Sequence, residues 1–190
     1  MTPGRPMVAA VVGLAILLVA CGGTPETAEP SPRGTRRTET PAEETPAEET
    51  ATIPGAISGD FKTNLEGTWG LQWTGPQEGA TGTYFDEGET IDPDTGARLS
   101  ASIHGDGPSA IAFFECSVDG GSTDLAGSYL GFCATVPYDG AAPDAARAWV
   151  RDNVSAVQPG TPIEETFGGI RFILSGNASA GLIVLEISAL

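Results

Sequence analysis

The uneven distribution of aromatic residues is the feature that most constrains what this chain can fold into. All 13 tryptophans, tyrosines and phenylalanines follow residue 59, whereas residues 22–58 contain none. The same stretch holds six prolines and repeats Thr-Pro-Ala-Glu-Glu at 40–44 and 45–49. Such a segment cannot bury enough apolar surface to offset its ordering entropy. We therefore predict a disordered linker over 21–58 and a single globular domain over 59–190, long enough to form its own core.

Several segments of the predicted domain have the period-two alternation of half-buried strands. Leu99, Ala101 and Ile103 alternate with serines, and residues 69–73 and 81–85 show similar patterns. We expect further strands at the segments 110–118 and 128–136, the first of which is apolar on both faces, as in a central strand.

A helix and a hairpin are predicted toward the C-terminus. Pro143 and the acid that follows it suit a first helical turn. Ala146, Trp149 and Val150 then recur on one side, so an amphipathic helix is expected at about 143–157, with Trp149 anchored in the core. Segments 169–174 and 182–188 flank turn residues and predict a hairpin. The expected class is α+β: a mostly antiparallel β-sheet with one amphipathic helix and a C-terminal β-hairpin.

The N-terminus carries an apolar run of 14 residues, Met7 to Ala20, followed by Cys21. A membrane-spanning helix needs roughly 20 residues, so this run suits the core of a secretory signal instead. Leu18-Val19-Ala20-Cys21-Gly22 resembles the lipobox of bacterial lipoproteins. The resemblance implies a signal peptide over 1–20, cleavage before Cys21, and diacylglycerol attached to the Cys21 thiol. It covers only about the first 22 residues and implies nothing about the domain.

Lipidation at Cys21 would place the chain on the outer, extracytoplasmic face of the cell membrane. Each buried methylene of an acyl chain contributes about 0.8 kcal/mol, so two or three chains such as palmitate hold a protein stably on a bilayer. The composition, with Lys62 as the single lysine and abundant Ala, Gly, Pro and Thr, is similar to that of actinobacterial proteins from GC-rich genomes.

The formal net charge of −16 restricts the partners. Phosphate backbones and anionic headgroups repel such a surface, so we expect no nucleic-acid partner and no direct adsorption to lipid. The membrane contact is expected through the N-terminal lipid anchor, with another envelope protein or a wall polymer as a further partner. Acidity otherwise favours solubility.

Two cysteines remain when Cys21 carries lipid, and both lie in predicted strands. Disulfides persist in exported proteins, so we predict a Cys116–Cys133 bond, the alternative being two buried free thiols. Neither a C-x-x-C motif nor a second histidine supports a metal site.

No motif selects catalytic, cofactor-binding or metal residues, and none is predicted. His104 is the single histidine, and Asp106 is close enough in sequence to orient it, but no nucleophile motif accompanies them. The segment 86–94 has five carboxylates, which favours a solvated acidic hairpin; it lacks several ligand positions of a calcium loop.

These features favour a non-catalytic binding or interaction module of the cell envelope. One alternative is an envelope hydrolase using paired carboxylates, with or without calcium. A cleft holding two facing acids of raised pKa would support it. Another alternative is a structural surface protein without a dedicated ligand. The sequence alone does not decide whether the chain is an enzyme, and we favour a protein without catalytic activity.

Overall fold

A computed structural model describes residues 51–78 and 83–190 of the chain. Cys21, the predicted signal peptide and the predicted linker up to residue 50 lie outside the described residues. The predicted lipidation, signal cleavage and disorder of these segments therefore remain predictions.

The described elements are three α-helices and eight β-strands. In chain order they are α1 (Ser58–Trp69), β1 (Gln72–Trp73), β2 (Gln77–Glu78), β3 (Tyr84–Ile91), β4 (Arg98–Gly107), β5 (Ala110–Asp119), α2 (Thr123–Cys133), α3 (Pro143–Asn153), β6 (Ile163–Phe167), β7 (Ile170–Asn177) and β8 (Leu182–Ala189), with short 3-10 turns at Val154–Ala156 and Ala178–Ala180. The strands form one antiparallel sheet in the order β1-β3-β4-β5-β8-β7-β6, and β2 also pairs with β3. The α+β class with a mostly antiparallel sheet and a C-terminal β7–β8 hairpin is confirmed.

The three helices pack on the same face of the sheet. The Phe61 ring of α1 lies 4.5 Å from that of Phe114 on β5, measured between centroids. A disulfide between Cys116 and Cys133 joins β5 to α2. In α3, Trp149 packs 6.0 Å from Phe167 on β6. The core therefore lies between the helices and this face. No helix among the described residues covers the opposite face.

Side-chain alternation explains why the core lies on this face. In β8, Ile183, Leu185 and Ile187 are buried, while Val184 and Glu186 between them are half-exposed. The strand pairs with β5 on one side and β7 on the other. The last strand of the fold is therefore a central strand.

Two predictions of local structure are wrong. Segment 128–136, expected as a strand, lies mostly in α2, which Ser122 caps by accepting a hydrogen bond from the Leu125 amide. A short apolar run has no clear period, and a buried helix then cannot be distinguished from a strand. Segment 69–73 is also different: Trp69 ends α1, and only Gln72–Trp73 pairs in the sheet.

The described residues hold more helix than predicted, and some residues before position 59 are packed. The described residues form three α-helices where one was predicted, and the predicted helix 143–157 corresponds to α3 followed by a 3-10 turn. Ile53 is 1% exposed, and its amide donates to the Ile111 carbonyl at 2.7 Å. Packing therefore includes residues on the N-terminal side of position 59.

Candidate functional site

The sheet surface opposite the helices, here called the open face, is the candidate site. Antiparallel register places its side chains in rows that cross the strands. One row, the aromatic row, runs Phe85–His104–Phe113 and continues to Ser188 and Arg171. The neighbouring row, the acidic row, runs Glu87–Ser102–Glu115–Glu186–Ile173–Glu164.

His104 lies inside the aromatic row. Its ring stacks on Phe113 at 4.1 Å between centroids and 13° between planes, and meets the edge of Phe85 at 4.8 Å. His104 Nε2 is 3.0 Å from the Ser102 hydroxyl. Desolvation lowers the pKa of His104, although the Glu87 carboxylate opposes this shift, so the neutral imidazole is favoured.

The sequence places Asp106 close enough to orient His104, but among the described residues the Ser102 hydroxyl is the hydrogen-bond partner of the His104 ring. Asp106 is exposed, and it lines an open pocket of about 210 Å³ together with His104 and Phe113. The Ser102 hydroxyl lies beside the imidazole, but no carboxylate of the described residues is hydrogen-bonded to the ring. This arrangement therefore gives no hydrolytic triad.

Glu115 and Glu186 face each other directly on the adjacent strands β5 and β8. Desolvation, and then the charge of Glu186, raise the pKa of Glu115. Among the ion pairs of residues 51–78 and 83–190, none involves either glutamate. Like charges directly opposite each other in a sheet are destabilising. The pair therefore opposes folding unless a positive group lies over it.

Two polar atoms beside this pair lack hydrogen-bond partners within the described part of the chain. Ser188 is 9% exposed, and its Oγ has no partner. Arg171 lies directly opposite Ser188 on β7, and its Nε is also buried and unpaired. Ser188 is two residues from Glu186 on the same strand, so it projects from the same face. The open face thus combines two like charges that face each other with a hydrogen-bond donor and a hydroxyl that have no partner in the described part of the chain.

A second charged cluster lies on the core side, between α1 and β3. Asp86 is fully buried, and the Lys62 ammonium binds its Oδ2. The Tyr84 hydroxyl donates to the same oxygen at 3.1 Å. Lys62 also lies 5.3 Å from the centre of the Trp73 ring, in cation–π geometry. This cluster attaches α1 to the sheet and does not face the open face.

The five carboxylates of segment 86–94 do not converge. Asp86 is in the core, and Glu87 and Glu89 project from the open face. Asp92 accepts hydrogen bonds from the Thr95 hydroxyl and amide at 2.6 and 2.8 Å, which lowers the Asp92 pKa. Within the described ranges, no group of three or more His, Cys, Asp or Glu residues could hold a metal ion.

The disulfide predicted from the two cysteines is confirmed as the Cys116–Cys133 bond, with Cα atoms 6.6 Å apart. Cys133 is the last residue of α2, whereas a strand was expected. The bond therefore links the helical layer to a central strand. A further pocket of about 400 Å³ lies beside α2 and α3, and Asp124 is the one carboxylate among the residues that line it.

Sequence reasoning did not identify Glu115 and Glu186 as a pair. Both stand at outward positions of strands that were correctly predicted, and this alternation is the available signal. Their 71-residue separation hides the pairing, because register between distant strands depends on the whole sheet order. The same reasoning missed the Lys62–Asp86 contact, since α1 was not predicted.

Comparison of the chain with protein-family models, with curated proteins and with solved structures finds no match. Within residues 51–78 and 83–190, no helix has both the length and the apolar character needed to span a membrane.

Proposed function

We propose that this chain is a lipoprotein anchored through Cys21 to the outer face of the cell membrane, and that its folded part is a non-catalytic binding module. In this proposal the open face binds a partner in the cell envelope. The lipobox resemblance supports the anchor, and the sheet surface that none of the described helices covers supports the binding role.

The observation that carries the binding role is the opposed pair Glu115 and Glu186. Folding alone gives no reason to place two carboxylates directly opposite each other, since the pair costs stability. Violations of local stability rules are expected at functional sites, where a ligand compensates for them. Ser188, with its unpaired hydroxyl, adds a second polar group whose partner the described residues do not supply.

Photocrosslinking in intact cells tests which face binds. A photoreactive amino acid is placed at Ile91 or Thr166, which lie on the open face near opposite edges of the sheet. Control positions are Glu66 on α1 and Asp152 on α3, both exposed on the helical layer. We expect the same crosslinked species from both open-face positions and not from the controls. Equal crosslinking from all four positions would contradict the proposal.

The anchor is tested separately by mass spectrometry of the mature N-terminus. We expect it to start at an acylated Cys21, and we expect Cys21→Ala to abolish lipid attachment. An unacylated mature start would refute the anchor without affecting the binding face.

Glu115 and Glu186 also support a second candidate function, carboxylate-assisted hydrolysis. The pKa of Glu115 is raised and a second carboxyl lies directly opposite it, which is the kind of arrangement that an acid–base pair uses. The test is release of chromogenic groups from a panel of glycosides, with Glu115→Gln as the control. Activity that this substitution abolishes would favour the hydrolase over the binding module.

A further inference from the structure

We propose that the partner of the open face is a basic polypeptide segment, whose lysine and arginine side chains lie along the acidic row. This inference rests on the proposed function and specifies the chemistry of the partner. It follows from the spacing of the carboxylates, from the unpaired polar atoms beside them and from the shape of the surface.

The acidic row spans most of the sheet. Glu87 on β3 and Glu164 on β6 are five strand spacings apart, which corresponds to about 24 Å. Glu115 and Glu186 lie between them. An extended peptide rises about 3.3 Å per residue, so a segment of roughly eight residues covers this distance. Four carboxylates along one line match a segment with several basic side chains better than a single small cation.

The centre of the row is suited to an ammonium group. A lysine ammonium has three hydrogens to donate, and the facing carboxylates of Glu115 and Glu186 supply acceptors side by side. The buried Ser188 hydroxyl lies beneath the surface, two residues from Glu186 on the same strand. The Phe113 ring, directly opposite Ser188, adds an aromatic surface for cation–π contact. A bound ammonium would thus relieve the repulsion between the glutamates.

Arg171 makes the surface more selective than acidity alone. It lies beside Ser188, one row away from the carboxylates, with its Nε unpaired in the described part of the chain. A polypeptide can place a backbone carbonyl over this guanidinium while its basic side chains reach the acidic row. A simple polyamine has no acceptor for Arg171. The chain's own negative charge of −16 disfavours a second copy as the partner.

The experiment measures binding of fluorescein-labelled octalysine to the full chain, purified in detergent, by fluorescence anisotropy. The test variant is Glu115→Gln/Glu186→Gln, and the matched control is Glu66→Gln/Asp152→Asn, which removes two charges from the helical layer. We expect the test variant to weaken binding about tenfold and the control less than about twofold.

Equal weakening by both double variants would overturn the proposal, because it would mean attraction to net charge alone. Spermidine competing as well per charge as unlabelled octalysine would also overturn it, in favour of a small polyamine. If crosslinking from Ile91 and Thr166 succeeds while octalysine does not bind, the basic partner is refuted and the binding module stands. Urea unfolding of each variant shows that lost binding is not lost folding.

Discussion

Replacing Lys62 by methionine should destabilise the fold by about 3 kcal/mol, far more than is usual for a surface lysine. Its ammonium is the positive partner of Asp86, which is fully buried, while the lysine side chain is 23% exposed. Removing one partner of a buried pair costs roughly 3–5 kcal/mol because it leaves an uncompensated charge. We expect the lower end of this range because the Tyr84 hydroxyl still donates to the carboxylate.

The assay is urea unfolding followed by tryptophan fluorescence with the disulfide intact. Adding Asp86→Asn to Lys62→Met should recover a substantial part of the loss, since no charge is then buried. Arg98→Met is the matched control: it breaks the Arg98–Glu89 pair, in which both side chains are more than half exposed, and should cost less than about 1 kcal/mol. A Lys62→Met variant as stable as Arg98→Met would refute the reasoning.

Three further predictions concern the open face and the glycines. Because folding raises the pKa of Glu115, the fold loses stability as the pH rises through the folded-state pKa of this carboxyl. Glu115→Gln should therefore stabilise the fold by up to about 1 kcal/mol near pH 7 and have little effect near pH 4, as measured by urea unfolding. Folding lowers the pKa of His104, so the unfolded chain binds the proton more readily and stability falls as the pH falls. The wild type should therefore lose stability between about pH 7 and 5 relative to His104→Phe. Parallel curves of stability against pH for the two proteins would contradict this. Gly67→Ala, in open space on α1, should raise the melting temperature, whereas Gly75→Ala would place a Cβ 2.5 Å from Asp86 Oδ1 and should lower it; the same sign for both would refute the packing argument.

Local patterns predicted the sheet better than they predicted the helices. Leu99, Ala101 and Ile103 alternate with serines because one face of β4 is buried and the other is open, and this period is visible in the sequence. In α2 several neighbouring residues are buried, Tyr129 and Leu130 among them, so no helical face stands out.

The candidate site was predictable only in part. The sequence places Glu115 and Glu186 at outward positions of two strands, but their meeting depends on β8 lying next to β5. That choice is made by the packing of the whole sheet against α1, α2 and α3, which no local window contains. The disulfide was an easier prediction, because assigning Cys21 to lipid left only two of the three cysteines to pair.

The position of β8 has a consequence for how the molecule forms. Without residues 182–189, β5 and β7 have no strand between them, so the sheet consists of two separate parts, β1–β5 and β6–β7. During synthesis these residues follow all the other described strands. The sheet is therefore complete only once β8 has paired with both β5 and β7.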